Sequence, residues 1–224
     1  MLRLTKSGPS CDASAADLKL LRAEFDRQHL LHLPGFLEPA LLRLIQETLA
    51  QTTFQPRAQP TGTELRPVDT TSYYALELLM NSPQLFRIIE QITGCIGIAC
   101  FNGRIYRRLQ SPEYHQRWHT DVADDGRIVA VSINLSTEVY AGGVLQIRHA
   151  GTQEVFCEAR NTGFGDALLF RVDPKLEHHI TPVEGDVPKT AMAGWFKTKP
   201  EARALFAGGI RRRLSATDRQ ADNA

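Results

Sequence analysis

The chain has 224 residues, of which 42% are hydrophobic and 23% are charged, as in an ordinary soluble protein of one domain. Its formal net charge of +1 gives no overall field, which argues against nucleic acid or an acidic membrane as its partner. No apolar stretch reaches the roughly 18 residues of a membrane helix, and the N-terminus has no apolar leader core. The four cysteines, none in a CxxC pair, are typical of a reducing compartment, so we expect a cytoplasmic protein with no membrane partner.

The first third of the chain predicts helices. Ser14, with Asp17 three residues later, forms a capping-box pattern ahead of apolar residues at helical spacing. Pro39 is suited to open a second helix, because proline is favoured at the first helical position. A third helical stretch is predicted over 76–93, with Gly94 as its stop.

Two other segments interrupt these helices. Residues 29–37 predict a short strand followed by a turn at Pro34–Gly35. Residues 52–71 are polar and rich in proline, which predicts an irregular loop. Such a loop inside a compact domain is typical of a lid over a binding site, and disorder is the alternative.

From about residue 96 the pattern changes to short runs rich in β-branched residues, separated by turn signals. Eight such runs predict eight strands, and therefore a β-sandwich or jelly roll. The predicted strands are Ile98–Leu109, Tyr114–Asp121, Arg127–Leu135, Val144–His149, Glu154–Arg160, Ala167–Val172, His178–Val183 and Thr190–Lys197.

The strongest local motif is His119-Thr120-Asp121. On a strand, residues two apart point to the same face, so His119 and Asp121 are predicted to project together. Two histidines and one carboxylate on one face of an octahedron are the ligands of non-haem Fe(II) oxygenases. An H-x-D motif alone is weak evidence, and a surface His–Asp pair is the alternative.

Two later features strengthen the metal hypothesis. His178 or His179, on the predicted seventh strand, supplies the second histidine. Lys189 follows His178 by eleven residues and begins an apolar strand that contains Trp195. A cation in that place suits a buried carboxylate such as the distal one of 2-oxoglutarate, since buried charges need partners. An exposed lysine on an edge strand is the alternative.

Four blocks, in order, resemble the prolyl-4-hydroxylase-like branch of the 2-oxoglutarate/Fe(II)-dependent oxygenase superfamily. The resemblance covers the chain from about Gly103 to Phe196 and implies a mainly β fold with N-terminal helices and a double-stranded β-helix (jelly-roll, cupin-like) core. The blocks are "YHQRWHTD" (Tyr114–Asp121), "INLSTEVYAGGVLQI" (Ile133–Ile147), "GDALLFRVDPKLEHHITPV" (Gly165–Val183) and "KTAMAGWF" (Lys189–Phe196).

The resemblance implies roles for particular residues. The iron ligands would be His119, Asp121 and His178, because His178 fits the family spacing to the following isoleucine and proline better than His179 does. Lys189 would bind the distal carboxylate of 2-oxoglutarate.

Four further residues are weaker candidates in the same comparison. Tyr106 and Asn134 would reach 2-oxoglutarate; a core aromatic residue and an amide that satisfies the backbone are the respective alternatives. Arg104 and Arg171 are candidates for contacting an acidic substrate, although surface arginines are common.

The implied activity is a 2-oxoglutarate- and Fe(II)-dependent dioxygenase that uses O2 to hydroxylate a C–H bond of a small metabolite or amino-acid-like substrate. Succinate and CO2 would be its co-products, and ascorbate is a candidate additional cofactor. A peptidyl (prolyl-type) hydroxylase is the first alternative. The others are a cupin-type metal enzyme that does not use 2-oxoglutarate and a non-catalytic jelly-roll binding module.

The pattern also suggests how the single domain is divided. Residues 1–96 are expected to pack as a helical lead-in on the barrel, and residues 97–198 to form the catalytic core. Residues 199–224 read as a polar tail in which Arg211–Arg213 form the only basic run.

Overall fold

The computed structural model describes residues 1–59, 62–111 and 117–200 of the chain. Its helices are α1 (Ala15–Gln28), α2 (Pro39–Ala50), α3 (Thr71–Met80) and α4 (Pro83–Thr93). Its strands are β1 (Leu2–Thr5), β2 (Gly8–Cys11), β3 (Leu30–Leu33), β4 (Phe54–Gln59), β5 (Gly62–Pro67), β6 (Cys100–Arg108), β7 (Arg127–Asn134), β8 (Ala141–Gly142), β9 (Leu145–His149), β10 (Val155–Ala159), β11 (Ala167–Arg171), β12 (Leu176–Ile180), β13 (Val183–Glu184) and β14 (Lys189–Lys197).

The fold is mainly β, with the helices before the jelly-roll core, as predicted. Seven antiparallel strands form the larger sheet in the order β3-β11-β7-β14-β6-β5-β4. A smaller sheet has the order β10-β9-β12, and β8 pairs with β13. Neighbouring strands in both sheets are often distant in sequence, which is the connectivity of a jelly roll rather than of a meander.

Strand β7 illustrates how the larger sheet divides the interior. Val129, Val131 and Ile133 pack with the helices in one apolar cluster. Ala130, which lies between two of them, packs instead with residues of the smaller sheet. Because successive side chains of a strand point to opposite faces, the larger sheet has a helix-covered face and a face toward the smaller sheet. The site described below lies on the second face.

The helix boundaries follow local signals in the sequence. The Ser14 hydroxyl accepts a hydrogen bond from the Asp17 backbone N–H, and the Asp17 carboxylate accepts one from the Ser14 N–H, so the predicted capping box is confirmed. Helix α2 begins at Pro39, as predicted. Helix α4 ends at Thr93 and is followed by the predicted stop Gly94, whose φ of 64° is left-handed and favours glycine.

The helical stretch predicted over 76–93 is two helices, α3 and α4. Ser82 between them is extended, with φ −74° and ψ 127°. The reason is Pro83, because proline disfavours helical backbone in the residue before it and then suits the first turn of the next helix.

The prediction of an irregular loop over 52–71 was wrong for most of its length. Strands β4 and β5 form an antiparallel hairpin there, and β5 joins the larger sheet through Leu65 opposite Arg107 of β6. Two of the prolines that suggested a loop, Pro56 and Pro67, lie in the hairpin at the edge of the sheet, where proline is tolerated. Pro60 lies outside the described residues, and a lid role for the segment remains a prediction.

The second predicted strand, Tyr114–Asp121, is not found as a strand in its described part. Residues 112–116 lie outside the described ranges, and they include Tyr114 and His115. From residue 117 onward the only ladder contact is a single bridge between His119 and His178. This difference changes the geometric argument for the H-x-D motif.

The N-terminal residues form a hairpin that the sequence did not suggest. Strand β1 pairs with β2, and the Leu4 N–H donates to the carbonyl of Phe36. Leu2 and Leu4 are buried within the helix-covered core. The segment has a mixed, polar composition because only alternate residues of β1 face inward.

Three further points concern the chain as a whole. In the described ranges, no helix has both the length and the apolar character needed to cross a membrane. All four cysteines fall in those ranges, and none forms a disulfide. Most of the predicted tail, 201–224, including Arg211–Arg213, lies outside the described residues, and the division at 96 and 198 remains a prediction.

The packing of Leu4 makes a testable prediction. Leu4→Ala should lower the free energy of unfolding by about 2–5 kcal/mol, because it leaves a cavity in a close-packed core. Leu20→Ala is the matched control, since Leu20 on α1 is 69% exposed and its truncation should cost less than about 0.5 kcal/mol. Urea unfolding of both variants measures the difference, and equal costs would contradict this account of the hairpin.

Candidate metal centre

Three predicted ligands come together at one end of the space between the sheets. One ligand atom each from His119, Asp121 and His178 lies within 4.8 Å of the others. The His119 Nε2 atom is 3.4 Å from Asp121 Oδ1, and the His178 Nε2 atom is 3.3 Å from Asp121 Oδ2. Both imidazoles therefore direct the same nitrogen toward one carboxylate.

The backbone brings His119 and His178 side by side. His178 lies on β12, and the two residues exchange backbone hydrogen bonds of 3.1 and 2.9 Å. Their rings are 4.3 Å apart between centroids, and the ring of Phe170 of β11 lies 4.7 Å from that of His178. One ligand is thus fixed in a strand and the other is aligned against it by a bridge.

Asp121 reaches the site differently from the way the sequence suggested. Its backbone has a φ of 59°, in the left-handed region, so His119 and Asp121 do not share a strand face. The two side chains do converge, but the predicted cause, a shared strand face, was wrong. A left-handed residue after the bridge turns the chain and directs the carboxylate back toward His119. Aspartate is one of the few residues besides glycine that tolerate this conformation.

Trp195 of β14 holds the Asp121 carboxylate from the other side. Its indole Nε1–H donates a hydrogen bond of 2.8 Å to Asp121 Oδ2. Burial alone would raise the pKa of Asp121, but the hydrogen bonds from the two histidines and Trp195 hold it well below its usual range. The carboxylate is therefore ionised and oriented at neutral pH. Sequence reasoning used Trp195 only as a spacing marker.

The two histidines differ in their surroundings. Burial lowers the pKa of His178, which is 5% exposed, and so favours the neutral imidazole that binds a metal. Burial also acts on His119, but its hydrogen bonds to Asp121 and to the Arg117 carbonyl outweigh it and raise the pKa. The His119 Nδ1–H donates to the Arg117 carbonyl oxygen at 2.8 Å, which leaves Nε2 as the lone-pair atom in the neutral ring.

These features fit an Fe(II) ion. Two imidazole nitrogens and one ionised carboxylate oxygen form the donor set of the non-haem iron oxygenases. The hydrogen bond at His119 Nδ1 and the one from Trp195 are the outer-sphere contacts that orient such ligands.

His179 faces away from this centre. Its Nε2 atom lies 2.7 Å from Gln146 Oε1 of β9, and its ring packs on Trp118 at 4.4 Å. Strand alternation separates it from His178, as expected for neighbours in β12.

A cavity of about 720 Å³ opens over the three residues. Tyr106 of β6, 1% exposed as a residue, lies in its wall, and its contact with 2-oxoglutarate remains a prediction. The wall combines apolar and aromatic side chains with several arginines. Its lining includes Arg66, Arg104, Arg108, Arg117, Trp118, Arg127, Ala130, Ser132, Phe170, Ile180 and Trp195.

Lys189 is buried behind this wall and does not line the cavity itself. It is 2% exposed, its Nζ donates to the Gly143 carbonyl at 3.1 Å, and it lies 5.4 Å from the Tyr140 ring. Burial, and then the neighbouring Arg108 guanidinium, lower the pKa of Lys189 to about 7. The alternative of an exposed edge-strand lysine is thus wrong, because β14 lies between β7 and β6.

Asn134 does not line the cavity either. Its amide Nδ2 donates to the Gly163 carbonyl, and its Oδ1 accepts from the Ser136 backbone N–H. The geometry therefore favours the alternative in which this amide satisfies backbone groups. A side chain with both ends engaged by the backbone is not placed to contact 2-oxoglutarate.

The two arginines that were predicted to contact an acidic substrate lie in different parts of the structure. Arg104 lines the cavity, whereas Arg171 lies elsewhere, with its guanidinium on Asp26 and the Thr93 carbonyl. Sequence reasoning missed Arg66, which lines the cavity from the hairpin that was interpreted as a loop.

Comparison with protein families identifies this core. Residues 104–197 match the model of the 2OG-Fe(II) oxygenase superfamily. The chain contains a 2OG-Fe(II) oxygenase domain. The matched region includes His119, Asp121, His178 and Trp195, and the match makes the protein an oxidoreductase of the dioxygenase type. Among curated proteins, none matches the sequence significantly.

Solved structures share the fold of this oxygenase at low identity. A Pseudomonas putida prolyl-4-hydroxylase superposes with a TM-score of 0.61 and 19% identity, over 81% of this chain and 99% of its own. The α-ketoglutarate-dependent epimerase SnoN from nogalamycin biosynthesis gives 0.58 and 14%, over 81% and 82%. A Trichoplax adhaerens prolyl hydroxylase, in complex with a hypoxia-inducible-factor peptide, gives 0.56 and 15%, over 84% and 94%.

The geometry predicts how the neighbouring histidines differ. His178→Ala should weaken Fe(II) binding by about 100-fold or more, because it removes a ligand and leaves two. His179→Ala should bind Fe(II) close to wild type, since that ring contacts Gln146 and Trp118. Anaerobic Fe(II) titration of both folded variants provides the test, and the reverse order of affinities would exclude His178 as the ligand.

Proposed function

We propose that this oxygenase uses Fe(II), 2-oxoglutarate and O2 to hydroxylate a C–H bond of a small metabolite or amino-acid-like substrate, with succinate and CO2 as co-products. The observation that carries the proposal is the convergence of His119, Asp121 and His178 at the base of a cavity, inside a region that matches the family. A volume of about 720 Å³ lies in the range of small-molecule sites.

The three side chains would hold the iron, which when bound supplies the oxidising chemistry that the protein itself lacks. The protein's contribution is positioning. Trp195 and the two histidines keep Asp121 ionised and aimed, and the Arg117 carbonyl fixes the His119 tautomer. Phe170 and Ile180 line the cavity beside His178 and help to exclude water from the reacting carbon.

Lys189 would bind the distal carboxylate of 2-oxoglutarate. Among the described residues no carboxylate forms an ion pair with it, and its low pKa reflects a buried amine that lacks an anionic partner. Arg108, opposite Lys189 in the β6–β14 register, lines the cavity and is the second candidate for the same carboxylate.

A peptidyl hydroxylase is the second candidate function. Two of the similar structures are prolyl hydroxylases, and one holds a peptide. The epimerase among the neighbours comes from the biosynthesis of a small molecule, nogalamycin. The family match argues against a metal enzyme that does not use 2-oxoglutarate and against a non-catalytic module.

The function is tested by incubating the protein with Fe(II), 2-oxoglutarate, O2 and ascorbate, which we expect to keep the iron reduced. Candidate small molecules and proline-containing peptides are added separately, and succinate is measured. We expect small molecules to stimulate succinate formation and Asp121→Ala to abolish it. Stimulation by peptides alone would favour the second candidate, and no succinate under any condition would contradict the proposal.

The Lys189 role predicts a selective loss of 2-oxoglutarate affinity. Lys189→Met should raise the 2-oxoglutarate Kd by about one to two orders of magnitude, because a hydrogen bond to an ionised group is worth about 1.5–3 kcal/mol. Fe(II) affinity without 2-oxoglutarate should not change. Lys189→Arg should retain part of the affinity. An unchanged Kd in Lys189→Met, with a raised Kd in Arg108→Met, would transfer the role to Arg108.

The same lysine predicts a pH dependence. In the free protein its pKa is about 7, and an approaching carboxylate raises it, so binding takes up a proton above pH 7. The 2-oxoglutarate affinity should therefore fall as pH rises above about 7. Calorimetry at pH 8 in buffers of different ionisation enthalpy measures this uptake, which should be smaller in Lys189→Met. Equal uptake in the two proteins would contradict the assignment.

A further inference from the structure

The wall of the cavity also carries a group of arginines that the reaction as proposed does not use. Arg66 comes from β5, Arg104 from β6 and Arg127 from β7, and all three line the same cavity as the metal ligands. Three different strands thus direct guanidinium groups into one space.

Glu64 fixes two of these guanidiniums. Its side chain is 2% exposed, and its Oε1 atom accepts from Arg104 Nε at 2.9 Å and from Arg66 Nε at 2.8 Å. Burial raises the pKa of this carboxyl, but the two arginines outweigh burial and lower it, so Glu64 is ionised. One carboxylate therefore orients two guanidiniums, and the group of three side chains has a net charge of +1.

The two arginines do not use all their donors in this contact. A guanidinium has five N–H groups, and within the described residues Arg66 makes its hydrogen bond through Nε only. The Arg66 side chain is 36% exposed, so its outer N–H groups face the cavity and solvent. A pair that served only to neutralise a buried glutamate would need one arginine.

Arg127 connects this wall to the metal centre. Its guanidinium lies 3.9 Å from the centroid of Trp195, the residue that hydrogen-bonds Asp121, and its Nη1 atom is 4.0 Å from Asp121 Oδ1. Arg104 lies 5.8 Å from the centroid of the same ring. The arginine wall therefore reaches the metal ligands, because Arg127 contacts both Trp195 and Asp121.

The charge of 2-oxoglutarate does not account for this wall. Its two carboxylates are assigned to the metal and to Lys189 or Arg108, which are not among the three arginines of this wall. The wall also continues outward, because a second cavity of about 400 Å³ shares Arg66 and includes Arg57 of the same hairpin. Guanidiniums are the groups that bind carboxylate and phosphate most specifically.

We infer that the substrate carries an anionic group, a carboxylate or a phosphate, which Arg66 and Arg104 bind, and that the β4–β5 hairpin supplies this specificity. The inference rests on the proposed function. A fixed anion on this wall places the rest of the substrate between the arginines and the metal ligands. A neutral prolyl peptide leaves the wall unused.

The test is a calorimetric titration of the anaerobic protein, saturated with Fe(II) and 2-oxoglutarate. The probes are phenyl phosphate, 3-phenylpropionate and the neutral 3-phenylpropionamide. We expect at least one anion to bind about tenfold or more tightly than the amide, and the ratio between the two anions distinguishes phosphate from carboxylate.

Variants locate the binding. Arg66→Gln should lower the affinity for the anion by about tenfold. Arg66→Lys should lower this affinity less, because the charge is kept. Arg43→Gln on α2 is the control, since Arg43 is exposed and remote from the cavity lining. Arg66 is chosen before the more buried Arg104, and thermal melts check that each variant is folded.

Binding of neither anion, equal binding of the amide, or an unchanged affinity in Arg66→Gln would overturn the inference. Two control signals are recorded on the same sample. The first is saturation of the protein with 2-oxoglutarate, and the second is the slow conversion of 2-oxoglutarate to succinate when O2 is admitted. Loss of these two signals would be a failure of the proposed function, whereas their presence without anion binding would refute the anionic substrate alone.

Discussion

The site depends on the position of one carboxylate, that of Asp121, whose side chain is 14% exposed. Asp121 lies where a loop with left-handed backbone meets the end of the β-sandwich, and three donors from three separate segments converge on it. His178 comes from the smaller sheet, Trp195 from the middle of the larger one, and His119 from a segment that is bridged to His178. Removing a carboxylate from water without partners is costly. The two sheets must therefore be correctly positioned against each other for all three donors to reach Asp121. The fold thus serves to bring donors distant in sequence to one oxygen pair.

The sequence predicted most of the fold because its local signals agree with the final structure. The capping box at Ser14, the proline at the start of α2 and the short apolar runs of β6, β7, β11 and β14 each depend on neighbouring residues only. The hairpin over 54–67 was missed since prolines at a sheet edge look like loop prolines. Its pairing with β6 is a tertiary contact that no local pattern contains.

The same distinction holds for the candidate site. The H-x-D motif and the later histidine are visible in the sequence, and the structure brings them together. Their convergence nevertheless depends on the left-handed backbone of Asp121 rather than on a strand, which the motif does not reveal. Asn134 illustrates the opposite case, because a polar residue at a matching position is occupied by the backbone. The Glu64–Arg66–Arg104 group was invisible since its members join only after the hairpin pairs with β6.

The central claim is that one Fe(II) site and one 2-oxoglutarate site are physically joined, because the cosubstrate binds to the metal as well as to the protein. Joined sites must influence each other equally, so each ligand should raise the affinity for the other by the same factor. Anaerobic equilibrium dialysis of Fe(II), with and without saturating 2-oxoglutarate, measures this coupling. The account predicts one Fe(II) per chain, bound about tenfold or more tightly with 2-oxoglutarate present. Stoichiometric Fe(II) whose affinity does not respond to 2-oxoglutarate would contradict it.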